Sequence, residues 1–314
     1  MKLSFEQIKR STFGALSVKE ESDGIHFAKC TEKQVAAWYA LSQTLGVRSE
    51  TTTGIRLDFH TNSKTLSFTA VDGDKFEVLI NGLQRYRIHA EAYRAKCEKP
   101  TFDLEEGEKR VTLIFPSHSR GVLGDVELDD GSYITPHKHA TKMLFIGDSI
   151  TQGWNSRYDS LSWAWRVTQY YDADSIIQGI GGAYFHEGTW DCVDFDADTV
   201  LVAYGTNDFG HYSTLEEMRG HAAKFLDSIF AQFGDKRVYV ISPIYRSDWQ
   251  KQKKMGSFLE ACAVVKEEAA SHGFTLIDGM ELVPYHGDFM ADAVHPNDLG
   301  FGVYAENVIA KLEK

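Results

Sequence analysis

The sequence predicts two folds in series: an antiparallel β-sandwich over roughly residues 46–135, then an α/β unit with a parallel sheet from about residue 142 onward. Two patterns carry this. Short runs with apolar residues at every second position, separated by turn dipeptides, fill the first stretch, as half-buried strands do. In the second, apolar runs of strand length alternate with stripes of helical period, which implies a parallel sheet covered on both faces.

Residues 1 to about 45 are mixed, with a strand expected near His26–Cys30 and one short helix between Glu32 and Leu45. Ile55–Phe59, Leu66–Val71, Phe76–Ile80 and Val111–Phe115 read as strands, with turns at Asn62-Ser63 and Asp72-Gly73 and a hairpin at Asp130-Gly131. Thr135–Thr141 reads as the link between domains, which sets the expected units at 1–138 and 139–314. Its two histidines, His137 and His139, lack a third ligand nearby in sequence and read as exposed, so no metal site is expected. Beyond the link, strands are expected at Leu144–Ile146, Ser175–Ile177, Thr199–Tyr204, Val238–Ile241 and Thr275–Ile277. Helical stripes run through Leu215, Met218, Ala222, Phe225, Leu226, Ile229 and Phe233, and through Phe258, Cys262, Val265 and Ala269. A closing helix carries Val303, Val308, Ile309 and Leu312, with Asn297 as its cap.

Bulk properties exclude several classes. With 43% apolar and 25% charged residues the composition is that of a globular protein, and 314 residues favour two cores over one. A net charge of −12 without a basic run argues against nucleic acid or an anionic membrane as partner. No apolar h-region or membrane-length run is present, and the four cysteines are far apart, so free thiols and a cytoplasmic location are expected.

Four clusters fall on loops that follow expected strands. They are Gly147-Asp148-Ser149-Ile150-Thr151, Gly179-Ile180-Gly181-Gly182, Gly205-Thr206-Asn207-Asp208 and Asp292-Ala293-Val294-His295-Pro296-Asn297. In open α/β sheets this is the edge where ligands bind. Acyl transfer by a serine needs a base, an orienting acid and oxyanion donors. Ser149 supplies the nucleophile, His295 the base, and Asp292, three residues before it on a tight turn, the acid. The backbone N–H groups of Ser149 and Gly182 and the Asn207 amide can converge on an oxyanion, and a glycine leaves that approach open. The glycine cluster lacks the full dinucleotide fingerprint, and His186-Glu187 lacks the second histidine of a zinc-protease motif.

These blocks resemble the SGNH hydrolases, the GDSL-type esterases, over about residues 143–312. The first block matches Gly147–Thr151 with Ser149 as nucleophile. Gly182 fits the second-block glycine, although Ile177-Gln178 stands where the family carries an asparagine-containing lead-in. Asn207 falls in the third block, and Asp292 and His295 in the fifth. The resemblance implies a flavodoxin-like three-layer α/β/α domain and ester hydrolysis without a cofactor. The strand-rich front half is similar in layout to the jelly-roll-like domain that precedes the SGNH domain in carbohydrate esterases and SsfX3-like acyltransferases.

The function expected from the residues and the resemblance together is a serine esterase removing small acyl groups, acetyl foremost, from a saccharide. An acyltransferase using the same acyl-enzyme, or a short-chain esterase acting on another small molecule, is the alternative; a binding module that has lost activity is argued against by the intact Ser149, Asn207, Asp292 and His295. Aromatic residues near the blocks suit sugar rings, and Trp154, Tyr184, Phe209 and Trp249 are the expected substrate contacts.

Overall fold

The computed structural model describes residues 1–313. Its front half holds two antiparallel sheets packed face to face. One has the strand order Thr12–Phe13, Arg56–Thr61, Lys109–Ile114, Lys75–Ile80, Leu83–His89, with Thr135–Pro136 also paired to Arg56–Thr61. The other runs Ser17–Glu21, Gly24–Ala28, Val122–Leu128, Thr65–Asp72, Thr101–Asp103. Alternate side chains of both sheets, among them Leu57, Phe59, Phe68, Phe76, Val111, Leu113 and Leu123, interdigitate in one apolar core. The strands flanking Asp130-Gly131 lie in different sheets, so this turn crosses the sandwich and is not the hairpin expected from sequence. A hairpin is made instead at Asn81-Gly82, where both residues have positive φ.

The back half is a flavodoxin-like α/β/α sandwich. Its parallel strands are β1 (Thr141–Gly147), β2 (Ala173–Gly179), β3 (Thr199–Ala203), β4 (Arg237–Ile241) and β5 (Thr275–Ile277), in the order β2-β1-β3-β4-β5. Strand alternation sends Leu144 and Ile146 to one face and Met143 and Phe145 to the other. Helices Leu215–Phe233 and Phe258–Ser271 cover the first face, and Trp163–Tyr170 and Asp298–Leu312 the second. The stripes read for Leu215–Phe233 and Phe258–Ser271 are buried apart from Leu215. The last helix buries Phe301, Tyr304, Ala305 and Val308, so of Val303, Val308, Ile309 and Leu312 only Val308 is fully inside. Asn297 caps this helix through Leu299 and Gly300 N–H at 3.0 Å each.

The expected single helix after Glu32 is two helices, Glu32–Leu41 and Gln43–Ser49, broken at the extended Ser42. Their buried Trp38 and Leu45 join the core of the parallel sheet, not that of the sandwich, so the front of the chain is packed into the α/β unit.

The histidines of the connecting segment are not exposed: the side chains of His137 and His139 are 13% and 4% accessible. They belong to a charged layer that fastens the sandwich to the amino end of β2. The buried Asp58 carboxylate takes two hydrogen bonds from Arg110, at 2.8 and 2.7 Å, with Arg56 at 3.6 Å. Arg110 continues to Asp172 at 2.9 Å, and Arg56 donates to the Ala173 carbonyl at 2.7 Å. His137 bridges His60 and Asp172 at 3.0 Å on either side. Donor atoms of His137, His139 and Asp172 lie within 4.8 Å of one another. Arg110 already holds Asp172, and Arg56 faces His139 Nε2 at 3.2 Å, so a cation there would sit against two guanidinium groups.

Burial alone would raise the Asp58 pKa, but the Arg110 hydrogen bonds and the Arg56 and Arg110 charges outweigh it and hold it below the ordinary range. Its stabilising contribution is therefore present above the unfolded-state pKa of about 3.9 and is lost as the pH falls through the lower folded-state value. Asp58→Ala leaves the 1%-exposed Arg56 without its counter-charge and should destabilise the protein at pH 7 by about 3–5 kcal/mol in urea unfolding. The gap between variant and wild type should narrow in unfolding curves taken below about pH 4.

Candidate active site

The site forms where β1, β2 and β3 end side by side, on either side of the point at which the strand order reverses. β1 ends at Gly147, and a short helix, Ser149–Gln152, begins at once. Asp148 caps it by accepting the Ile150 N–H at 2.8 Å. Ser149 is thus the first helical residue, and its N–H has no intrahelical acceptor.

This helix lies across the end of β2. A Cβ on Gly179 would stand 2.3 Å from the Gln152 backbone nitrogen, so only glycine permits the approach. The Gln152 side chain then accepts the Gly181 N–H at 2.8 Å and shapes the following turn. Gly182 has φ +87°, in the left-handed region glycine favours, and among the described residues no backbone acceptor takes its N–H.

Asn207 stands at the start of the short helix Asp208–His211, beyond β3. Its amide donates to the Ala183 carbonyl at 2.8 Å, and an amide nitrogen has a second hydrogen to offer. The Arg246 guanidinium donates to the Thr206 carbonyl at 3.0 Å and is itself paired with Asp248, which fixes the turn that carries Asn207.

His295 comes from the segment before the last helix. Its Nε2 lies 2.8 Å from Ser149 Oγ, and its Nδ1 lies 2.9 Å from Asp292 Oδ2. Asp292 Oδ1 accepts the Val294 and His295 N–H groups at 2.8 Å each, and Asn155 donates to Oδ2 at 2.7 Å. Partial burial would raise the Asp292 pKa; the His295 and Val294 N–H groups and the imidazole contact overcome that and hold it at about 2. Two other carboxyls behave oppositely. Burial pushes Asp148 up to about 7 and Asp208 up to about 8, the latter accepting the Phe185 N–H at 3.0 Å.

The four aromatic residues expected at the substrate divide. Half-buried Trp154 has its ring centroid 6.3 Å from that of His295. Tyr184 is 7% exposed and stacks on His211 at 3.7 Å. Trp249 lies toward Tyr285, 6.5 Å away. Phe209 is wholly buried, 5.3 Å from Phe258 and with Arg246 and Lys253 over its ring, so it supports the Asn207 turn and does not face the cleft. Two residues of the front half were not expected here. Arg48 lies over the Trp154 ring at 4.9 Å, and His118 meets the same ring edge-on at 5.1 Å. Neither sits in a motif, and only the docking of the two halves brings them to the site.

The family model for GDSL-like lipases and acylhydrolases matches residues 145–303, which span all four clusters. The chain belongs to this family. Its fold is shared with solved structures of low sequence identity. The salicylyl-acyltransferase SsfX3 from a tetracycline biosynthetic pathway is 18% identical at a TM-score of 0.78, covering 96% of this chain and 94% of its own. A family two carbohydrate esterase from Clostridium thermocellum, solved with cellohexaose, is 13% identical at 0.69, covering 96% and 97%. One from Cellvibrio japonicus is 15% identical at 0.69, covering 100% and 97%. A comparison with curated protein sequences finds no match. No helix among the described residues is long and apolar enough to cross a membrane.

The glycine contact yields a direct test. Gly179→Ala should force the Ser149–Gln152 helix off β2 against backbone that has no room to give, costing about 3 kcal/mol or more in chemical denaturation.

Proposed function

We propose that the protein is a serine esterase that hydrolyses small acyl esters, acetyl foremost, carried on a saccharide. The observation that carries this reading is the continuous line from Ser149 Oγ through His295 to Asp292, at 2.8 and 2.9 Å. His295 Nε2 takes the Ser149 proton as Oγ attacks the ester carbonyl. The oxyanion is met by the Ser149 and Gly182 N–H groups and the free hydrogen of the Asn207 amide. His295 returns the proton to the departing alcohol, and the acyl group is left on Ser149. Water then attacks with the same base, releasing acid and restoring the hydroxyl. Asp292, ionised down to about pH 2, holds the imidazole in one tautomer and stabilises its cation.

The half-buried Trp154 beside His295 supports a sugar-ring substrate, as does the fold shared with a carbohydrate esterase solved with cellohexaose. Acyl transfer uses the same acyl-enzyme, and the fold shared with an acyltransferase supports it as the second reading. Product analysis in the presence of a competing alcohol separates the two.

Ser149→Ala should lose on the order of 10⁴-fold or more in kcat while keeping its thermal transition. His295→Ala should lose more activity than Asp292→Asn, because only the former removes the proton acceptor. A residual Ser149→Ala activity above a tenth of wild type would refute the nucleophile.

Along aryl esters from acetate to octanoate, kcat/KM should fall steeply beyond propionate or butyrate. A buried acyl methylene would otherwise gain about 0.8 kcal/mol, so a steady rise with chain length would reveal an apolar groove and count against the acetyl reading.

A further inference from the structure

Arg48 comes from the helix Gln43–Ser49 of the front half, yet it reaches the catalytic loops. One guanidinium nitrogen donates to the Gly181 carbonyl at 2.8 Å. The same nitrogen stands 3.2 Å from where a Gly182 side chain would begin, next to the residue whose free N–H meets the oxyanion. Its planar group lies over the Trp154 ring at 4.9 Å, and that ring lies beside His295. The guanidinium therefore borders the Gly182 turn directly and the His295 side through Trp154.

Its other N–H groups have no acceptor among the described residues, and it has no carboxylate partner there. Its neighbours at the site differ: Arg157 is paired with Asp298 and Arg246 with Asp248. A guanidinium packed over an indole face, with donors left over, matches a carboxylate in geometry as well as charge. On a chain of net charge −12, such a group also gives an anion one local reason to enter the cleft.

We propose that Arg48 is an anion-binding residue of the active site, and that the physiological ester carries a carboxylate within reach of its guanidinium. The inference rests on the esterase reading above and narrows its substrate class to acidic esters. The carboxylate belongs either to the alcohol, as in an acetylated acidic saccharide, or to the acyl group, as in a half-ester of a dicarboxylic acid.

The test uses the full chain and three substrates: neutral phenyl acetate, 4-acetoxybenzoate with the charge on the alcohol, and monophenyl succinate with the charge on the acyl group. The quantity read is the ratio of kcat/KM for each anionic ester to that for phenyl acetate, in which any uniform effect of disturbing the Gly181 carbonyl cancels. In Arg48→Ala the ratio for one anionic ester should fall by about 10- to 100-fold, the loss expected for a charge-assisted hydrogen bond, and Arg48→Lys should recover part of it. Which ester responds identifies the side that carries the charge. Ratios unchanged for both esters would overturn the proposal.

Equilibrium binding of benzoate and succinate, measured by calorimetry, needs no turnover. Binding of either anion to wild type that is weakened at least tenfold in Arg48→Ala supports the proposal; no binding, or binding that is equal in both, overturns it. If Arg48→Ala does not fold, Arg48→Gln is the neutral variant for both measurements. A wild type that hydrolyses none of the three esters would count against the esterase reading, while the binding measurement would still decide the role of Arg48.

Discussion

The contact between the Ser149–Gln152 helix and the carboxyl end of β2 is the constraint on which the site depends. Adjacent parallel strands end at the same edge, and the helix that starts directly after β1 lies across the end of β2. It does so at backbone distance, with Gly179 facing the Gln152 nitrogen and no room for a side chain between them. That approach lets Gln152 hold the Gly181 N–H, which in turn leaves the Gly182 N–H free. Ser149 and the Gly182 N–H are thus positioned by one piece of packing, and a shift in either moves both.

The front half secures this contact from behind. Gln152 Nε2 donates to the Ser117 carbonyl at 2.6 Å, and that carbonyl also accepts from Thr53 at 3.0 Å. The fully buried Lys29 ammonium donates to Thr51 at 2.6 Å, to Thr53 at 3.0 Å and to the Gly179 carbonyl at 3.0 Å. Burial pulls its pKa down to about 8, which makes the charge costly where it is. Apolar residues could fill the same space with less penalty, but they would accept many registers. Three hydrogen bonds to fixed oxygens accept one, so the network trades stability for a single docking position of Gly179 against the sandwich. The Asp58–Arg110 layer does the same at the other end of β2, through Asp172 and Ala173.

Much of this was legible in the sequence, and what was missed has a common cause. The apolar runs and stripes of the α/β half give its strands and helices, because burial on two faces leaves a pattern within each segment. The four clusters were readable because each lies within a few consecutive residues at a strand end. Arg48, His118 and Lys29 were not, since no local pattern marks a side chain whose partner lies in the other half of the chain. Phe209 adjoins Asn207 in sequence, but the turn of Asp208–His211 points it at Phe258. His137 and His139 lacked only a third neighbour in sequence; in space His137 meets His60 and Asp172, and His139 meets Arg56 and Asp172. Asn81-Gly82 and Asp130-Gly131 carry the same turn chemistry, but only the strands flanking the first pair with each other.

The carboxyls Asp148, Asp208 and Asp292 show how burial assigns different states to one chemical group. Asp292 is partly exposed and receives two backbone N–H groups and an asparagine amide, so it stays ionised beside His295. Asp148 and Asp208 are buried, and each is raised toward its neutral form. Asp148 immediately precedes Ser149, where, under the proposed mechanism, a fixed negative charge would oppose an oxyanion. Raising its pKa reduces that opposition while its oxygen still caps the helix through Ile150. Under the proposed mechanism, negative charge beside His295 favours the imidazolium, and a raised Asp148 pKa lessens the charge behind Ser149.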